Sequence, residues 1–230
     1  MSGGQRSSVW TIVVAAGAGT RFGAPKQFLD LVGTRVVDRS IATAARHSDG
    51  VVVVTPAEPG PGIMPIEPPN GVVFREVVGA ESRASSVRHG LAAVPDDVDI
   101  VLVHDAARPL ATDAIYIRVI DAVTAGADAV TPAVPIVDTL RRRGGGTVDR
   151  SEVVAVQTPQ GFAASALRAA HATGGDPTDD VTVVEDNGGT VVVVDGDRRN
   201  IKLTTPLDLD IAALFVERDR LEHDHLERDA

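Results

Sequence analysis

Chemistry is concentrated in a few short stretches of this chain. The first is Ala15-Ala16-Gly17-Ala18-Gly19-Thr20-Arg21-Phe22-Gly23-Ala24-Pro25-Lys26-Gln27, which follows the β-branched run Val9 to Val14. Glycines let the backbone turn sharply and approach a ligand with no Cβ in the way, and successive exposed N–H groups in such a turn cradle an anion. With the cations Arg21 and Lys26 in the same loop, the stretch is built to hold a polyphosphate and act on it. Two familiar phosphate loops are excluded. The spacing Gly17-x-Gly19-x-x-x-Gly23 misplaces the third glycine for a dinucleotide fingerprint, which disfavours a nicotinamide-dependent dehydrogenase, and no Gly-Lys-Ser/Thr follows.

Three further stretches join it. Gly79 precedes Ser82, a helix cap, so the helix start there offers a second set of ligand-facing N–H groups. His104-Asp105-Ala106-Ala107-Arg108-Pro109 ends an apolar run from Ile100. Ligand crevices in open α/β sheets lie outside the carboxyl ends of the strands, so Asp105 stands where a carboxylate meets a metal or a hydroxyl; His104 is expected to pack or pair locally. Finally, Lys202 follows a glycine turn in Asn200-Ile201-Lys202-Leu203-Thr204. Of 22 basic residues only Lys26 and Lys202 are lysines, which marks both as places suited to a compact ammonium rather than a planar fork.

The elements that position these groups alternate. Apolar runs at 9–14, 51–55, 72–78, 100–103, 129–134 and 191–194 read as buried strands, and 36–45, Ser82 to about Ala93, 112–125 and 163–172 as helices. Another helix starts near Asp176 to Asp180, with Thr178 its cap, and stops at Gly188-Gly189. Val153 to Gln157 returns to the sheet. Thr205-Pro206-x-Asp208 opens a last helix expected to carry Leu207, Ile211, Leu214 and Phe215 inward. Six prolines between Pro56 and Pro69 forbid a helix there and give an irregular surface connection. Pro135 to Arg150 reads as two short strands around Gly144-Gly145-Gly146, a projecting hairpin suited to pairing with a second subunit.

The fold class expected is α/β, with one open, mostly parallel, Rossmann-like sheet, helices on both faces and a dimerisation arm at about 135–152. The domain should span 9–216, between a disordered tail at 1–8 and a charged tail at 217–230. There are no cysteines, hence no disulfide or thiolate chemistry. A formal net charge of -10 argues against a broad nucleic-acid surface. No apolar run reaches the length of a membrane span, and no apolar signal core precedes Val9; the expectation is a cytoplasmic protein with no nucleic-acid or membrane partner.

Taken together and in order, Ala15-Ala16-Gly17-x-Gly19-x-Arg21 with Pro25-Lys26-Gln27, Gly79 through Arg83 to Ser86-Val87, His104 to Pro109, and Thr158-Pro159-Gln160 with Asn200-Ile201-Lys202 closely resemble the 2-C-methyl-D-erythritol 4-phosphate cytidylyltransferases. The resemblance covers about Val9 to Phe215. It implies a nucleotidyltransferase sheet whose β-arm clasps a second subunit of a homodimer. The implied reaction transfers CMP from CTP to 2-C-methyl-D-erythritol 4-phosphate, releasing pyrophosphate, with magnesium held mainly by the CTP phosphates and no protein metal ligands assigned. It implies catalytic roles for Arg21, Lys26, Lys202 and Arg150. Ala15, Ala16, Gly17, Gly19, Gly79, Ser86, Asp105 and Ala106 would surround the nucleotide, and Asp105, Arg108, Thr139, Arg150, Thr178 and Lys202 the acceptor. The ribitol-5-phosphate cytidylyltransferases are similar and differ in acceptor, and a non-catalytic nucleotide-binding subunit is the alternative of another class. The proline-rich segment departs from the family, which has a helix there.

Overall fold

The computed structural model describes residues 6–17, 22, 25–58, 63–176 and 179–228, the last six by backbone alone. Strands and helices alternate as the apolar runs require. The order is β1 (Val9–Val14), α1 (Val36–Arg46), β2 (Gly50–Thr55), β3 (Val73–Val78), α2 (Arg83–Ala92), β4 (Ile100–Asp105), α3 (Asp113–Thr124), β5 (Ala129–Pro135), β6 (Leu140–Arg141), β7 (Thr147–Val148), β8 (Val154–Val156), β9 (Gln160–Ala163), α4 (Ala164–Ala172), α5 (Asp180–Asp186), β10 (Val191–Asp195) and α6 (Pro206–Arg228). Along the main sheet the strands run β3-β2-β1-β4-β9-β5-β10, with β8 also pairing with β5. Pairing is parallel except where β8 and β9 enter.

Side chains alternate across the pleat, and both faces are buried, so the central strands are apolar at nearly every position. Val13, Val51, Val53 and Leu102 pack under α1 and α3 through Ile41, Ile115, Tyr116 and Val119. Ile12, Val52, Val54 and Val101 pack under α2, α4 and α5 through Val87, Leu91, Leu167 and Val184. Ser8, just ahead of β1, accepts and donates hydrogen bonds with Asp99 ahead of β4, which aligns the two strands that carry the site.

Two expectations need correction. The stretch after Thr158-Pro159 is a strand of its own: β9 lies antiparallel between β4 and β5 and pairs with both. Its sequence, Gln-Gly-Phe-Ala, resembles a turn more than a strand, but Gly161 is needed for fit, since a Cβ there would lie 2.4 Å from a Val119 methyl. The last helix also buries a different face. Leu207 and Leu214 are 64% and 65% exposed, and Leu209, Ala212, Ala213 and Val216 instead close a small core with Leu31, Val36 and Leu203. Helix α6 runs unbroken through residue 216 to Arg228.

The described parts of the proline-rich segment, 56–58 and 63–70, carry no helix or strand. Strands β6 and β7 form a separate two-stranded ribbon joined through Gly145 and Gly146 at φ 109° and 81°. Val137, Val154 and Val156 of this arm and its root are exposed at 58%, 47% and 45%. No described helix is long and apolar enough to cross a membrane.

Candidate active site

Three loops leave the carboxyl ends of β1, β3 and β4 and meet. Ala15 N–H donates to the Val54 carbonyl, Gly79 N–H to that of Thr55 and Ala106 N–H to that of Val14, at 2.8, 2.8 and 3.0 Å. These bonds extend the sheet ladders by one residue and fix where each loop departs. Between the loops lies a cavity of about 450 Å³, lined by Val14 to Gly17, Lys26, Gln27, Ala80 to Arg83, Ser86, Asp105 to Ala107 and Lys202. Its size falls in the range of small-molecule sites.

The glycine loop is held by its own downstream segment. A 3₁₀ turn over Lys26–Phe28 brings Lys26 to the cavity and buries Gln27, whose Nε2 donates to the carbonyls of Ala15 and Gly17 at 2.7 and 3.0 Å. On the opposite wall Ser82 caps α2 as expected, in a capping box with Ser85. Ser86 Oγ accepts from the Ala80 N–H at 3.0 Å. Gly79 lies behind the wall: a Cβ there would stand 2.4 Å from the Ala16 Cβ and 3.0 Å from Ser86 Oγ. Glycine therefore lets the two loops touch, and the ligand-facing groups are those of Ala80 onward.

The polar floor is Asp105, buried at 8% exposure. Its N–H donates to Thr158 Oγ1, which also contacts His104 Nδ1. The Thr158 carbonyl accepts from Asn200 Nδ2, while Leu203 N–H donates to the Ala107 carbonyl, so the 200–203 segment is stitched to the end of β4. That stitching delivers Lys202, whose Nζ lies 2.5 Å from Asp105 Oδ2. Asp105 Oδ1 faces Arg83 Nε at 3.3 Å, and Arg83 NH1 continues to Asp180 Oδ2 at 2.6 Å. Burial pushes the Asp105 carboxyl up, but Arg83 and Lys202 outweigh it and hold it well below the usual carboxylate range. Burial likewise works against the Arg83 charge, and Asp105 and Asp180 reverse this, raising its pKa. His104, fully buried, is pushed down to about 4 by burial, against the pull of Asp105. As anticipated from the sequence, it packs within the floor, at 0% exposure.

Among residues singled out by sequence, the structure thus brings Ala15, Ala16, Gly17, Lys26, Ser86, Asp105, Ala106 and Lys202 around one cavity, with Gly79 behind it. Arg21, Gly19 and Thr178 lie outside the described residues. Arg108 braces the site from the side, donating to the Asn200 and Val156 carbonyls at 2.8 and 3.2 Å. Thr139 and Arg150 line a different cleft on the arm, with Thr147, Val148 and Asp149, and Arg150 donates to the Val137 carbonyl.

Arg83, Gln27 and Asp180 take no individual role from the sequence alone. Arg83 nevertheless leaves a signal there. It is the first residue of α2 after its cap, where the helix dipole disfavours a cation, so an arginine at that place calls for acidic partners. Asp180 comes from α5, nearly a hundred residues on, and no local pattern points to that pairing.

No group of three or more His, Cys, Asp or Glu that could hold a metal occurs among the described residues. Asp105, the buried carboxylate of the cavity, spends both oxygens on cations.

Known proteins are similar to this chain in sequence and fold. Residues 9–218 match the family model described as IspD, 2-C-methyl-D-erythritol 4-phosphate cytidylyltransferase. A protein of that name from Nocardia farcinica is 44% identical over 220 residues, covering 92% of this chain and 95% of the relative. One from Rhodococcus jostii is 41% identical, covering 92% and 96%. Among solved structures, the 2-C-methyl-D-erythritol 4-phosphate cytidylyltransferase of Thermus thermophilus superposes with a TM-score of 0.76 at 33% identity, covering 93% of this chain and all of that one. The 4-diphosphocytidyl-2C-methyl-D-erythritol synthase of Anaerococcus prevotii gives 0.79 at 26%, covering 92% and 99%.

Proposed function

This chain belongs to the 2-C-methyl-D-erythritol 4-phosphate cytidylyltransferase family, and we propose how its residues divide the family's reaction. The enzyme transfers CMP from CTP to 2-C-methyl-D-erythritol 4-phosphate in isoprenoid biosynthesis. An acceptor phosphate oxygen attacks the α-phosphorus of CTP in line; the new P–O bond forms as the bond to pyrophosphate breaks. The nucleophile is already ionised, so no general base is needed. What the protein supplies is alignment and cancellation of growing negative charge.

The observation that carries this reading is the convergence of Lys26, Lys202 and Asp105 with the backbone of Ala15 to Gly17 on one cavity. In it the loops of Ala15 to Gly17 and Ala80 to Ser86 receive the nucleotide, and Asp105 accepts from a sugar hydroxyl. Lys26, with Arg21, meets the phosphates, and Lys202 bridges the α-phosphate and the acceptor. Magnesium, entering with the triphosphate, neutralises part of its charge. Arg150 and Thr139 sit in a cleft apart from the cavity, which supports a homodimer in which the arm of one subunit contacts the acceptor bound to the other. Arg108, beside the arm's root, completes that half of the site.

The test is pyrophosphate release with CTP and magnesium, with 2-C-methyl-D-erythritol 4-phosphate and ribitol 5-phosphate offered in parallel. Release with the first alone is expected. Release with ribitol 5-phosphate alone would keep the chemistry and reassign the acceptor. CTP binding with no release from either would leave a nucleotide-binding subunit.

A further inference from the structure

We propose that Arg83 is a positioning residue, fixed from behind by Asp180, that holds the Asp105 carboxylate while Lys202 transfers from Asp105 to the phosphates. The inference rests on the reading of the cavity given above and adds a residue to its machinery.

The geometry is a chain of contacts through alternating charges, Lys202, Asp105, Arg83 and Asp180, that ends on the His171 ring. The contacts are 2.5, 3.3, 2.6 and 3.1 Å in that order. The outer members are the more exposed, with the side chains of Lys202, Asp105 and Arg83 at 38%, 12% and 25%, and the inner pair is buried, with Asp180 and His171 at 1% and 3%. The outer end is therefore free to exchange partners, and the inner end is fixed between α4 and α5. Arg83 spans the two ends because a guanidinium presents donors in a rigid fork, so Nε serves one carboxylate while NH1 serves another.

This division answers a problem the cavity poses. Lys202 pairs with Asp105, yet on the reading above it is the cation that must reach the α-phosphate and the acceptor. If Lys202 were Asp105's only partner, its departure would strand a buried carboxylate, a costly state. Arg83 keeps one oxygen of Asp105 paired throughout. The other is then released to accept from a ligand hydroxyl at the moment Lys202 turns to phosphate. Other titratable groups around Asp105 are Arg108 and His104 at the end of β4, with Lys26 and Glu81 on the cavity walls. Those contacting Arg83 are the two carboxylates alone among the contacts described.

Truncating Arg83 by itself would leave Asp180 buried opposite a missing cation, so the decisive variant removes both charges, Arg83→Gln with Asp180→Asn. It is compared with Arg83→Lys and with the parent enzyme in thermal melts and in kcat/KM for CTP across pH 5 to 9. The double variant should melt as a folded protein, with kcat/KM lowered about ten- to a hundredfold. The parent's Asp105 titrates below this range, and in the double variant an acid limb should enter it from below, because Asp105 has lost its nearest fixed cation. A merely structural role would reduce the folded fraction without moving that limb. Arg83→Lys, which cannot span both carboxylates, should lose activity while keeping the limb below the range, as in the parent. A folded double variant with the parent's kcat/KM and pH profile would overturn the proposal. Should the double variant fail to fold, parent-level kcat/KM in Arg83→Lys would overturn it equally, and a loss there would sustain it. Absence of activity in the parent itself would count against the cytidylyltransferase reading instead.

Discussion

The cavity and the arm hold cationic groups in opposite ways. At the cavity every wall is tied to another by bonds within the chain: Gln27 closes the glycine loop, Ser82 and Ser86 close the second loop, and Thr158 with Asn200 binds the floor to the lysine segment. Asp105 is paired with Arg83 and Lys202 of its own chain, which favour its ionised form. The arm's ribbon consists of two paired residues on each side, largely exposed, and Arg150 rests on the arm's own Val137 carbonyl. A preorganised charge stabilises a transition state with little reorganisation. A charge on an exposed ribbon acquires its setting only from what the ribbon lies against. The contrast fits the proposed reading, in which one chain recognises the nucleotide and a second chain's arm completes the acceptor half.

The difference can be broken at its strongest point first. Lys26→Ala should lower turnover by about a hundredfold or more with little change in the thermal melt; near-normal turnover would remove it from the catalytic group. Arg150→Ala should lower kcat/KM for the acceptor by about ten- to a hundredfold and leave CTP affinity, measured by titration calorimetry, at the parent value. If the arm serves the neighbouring subunit, mixing the two impaired proteins restores intact sites in heterodimers, to about a quarter of parent activity at equal exchange. No recovery after confirmed exchange would mean that each site is built from one chain.

A further effect, on stability rather than turnover, sharpens the comparison. His104 is pushed down to about 4 in the folded floor and titrates near 6.5 when unfolded. Between those values the unfolded chain binds the extra proton, so stability falls as pH is lowered through that window, by roughly 3 kcal/mol at its lower end. His104→Gln should flatten that slope in chemical denaturation at pH 4.5 and 6.5, and Arg150→Ala should leave it untouched. For Asp105 the window lies lower: depressed when folded, it contributes stability above its unfolded value that is lost only in stronger acid.

Much of this arrangement was legible in the sequence, for local reasons. Glycines followed by lone lysines, a serine three residues before its capping partner and an acid at the end of an apolar run each declare their role within a few positions. What was illegible depends on distance. Strand β9 is a strand only because β4 and β5 both offer it a ladder. The buried face of α6 is chosen by Leu31, Val36 and Leu203 and not by its most apolar stripe. Asp180 acquires meaning from Arg83, brought to it by the packing of α2 against α5's side of the sheet.

The place of β9 also governs the order of assembly during synthesis. Strands β4 and β5 leave the ribosome as neighbours in sequence yet do not pair with each other; the strand that joins them, Gln160–Ala163, is made later. Until then β4 carries an unpaired, apolar edge of the kind that recruits other chains. A nascent chain stalled before residue 160 should therefore sediment as aggregate, whereas one extended past α4 should stay in solution.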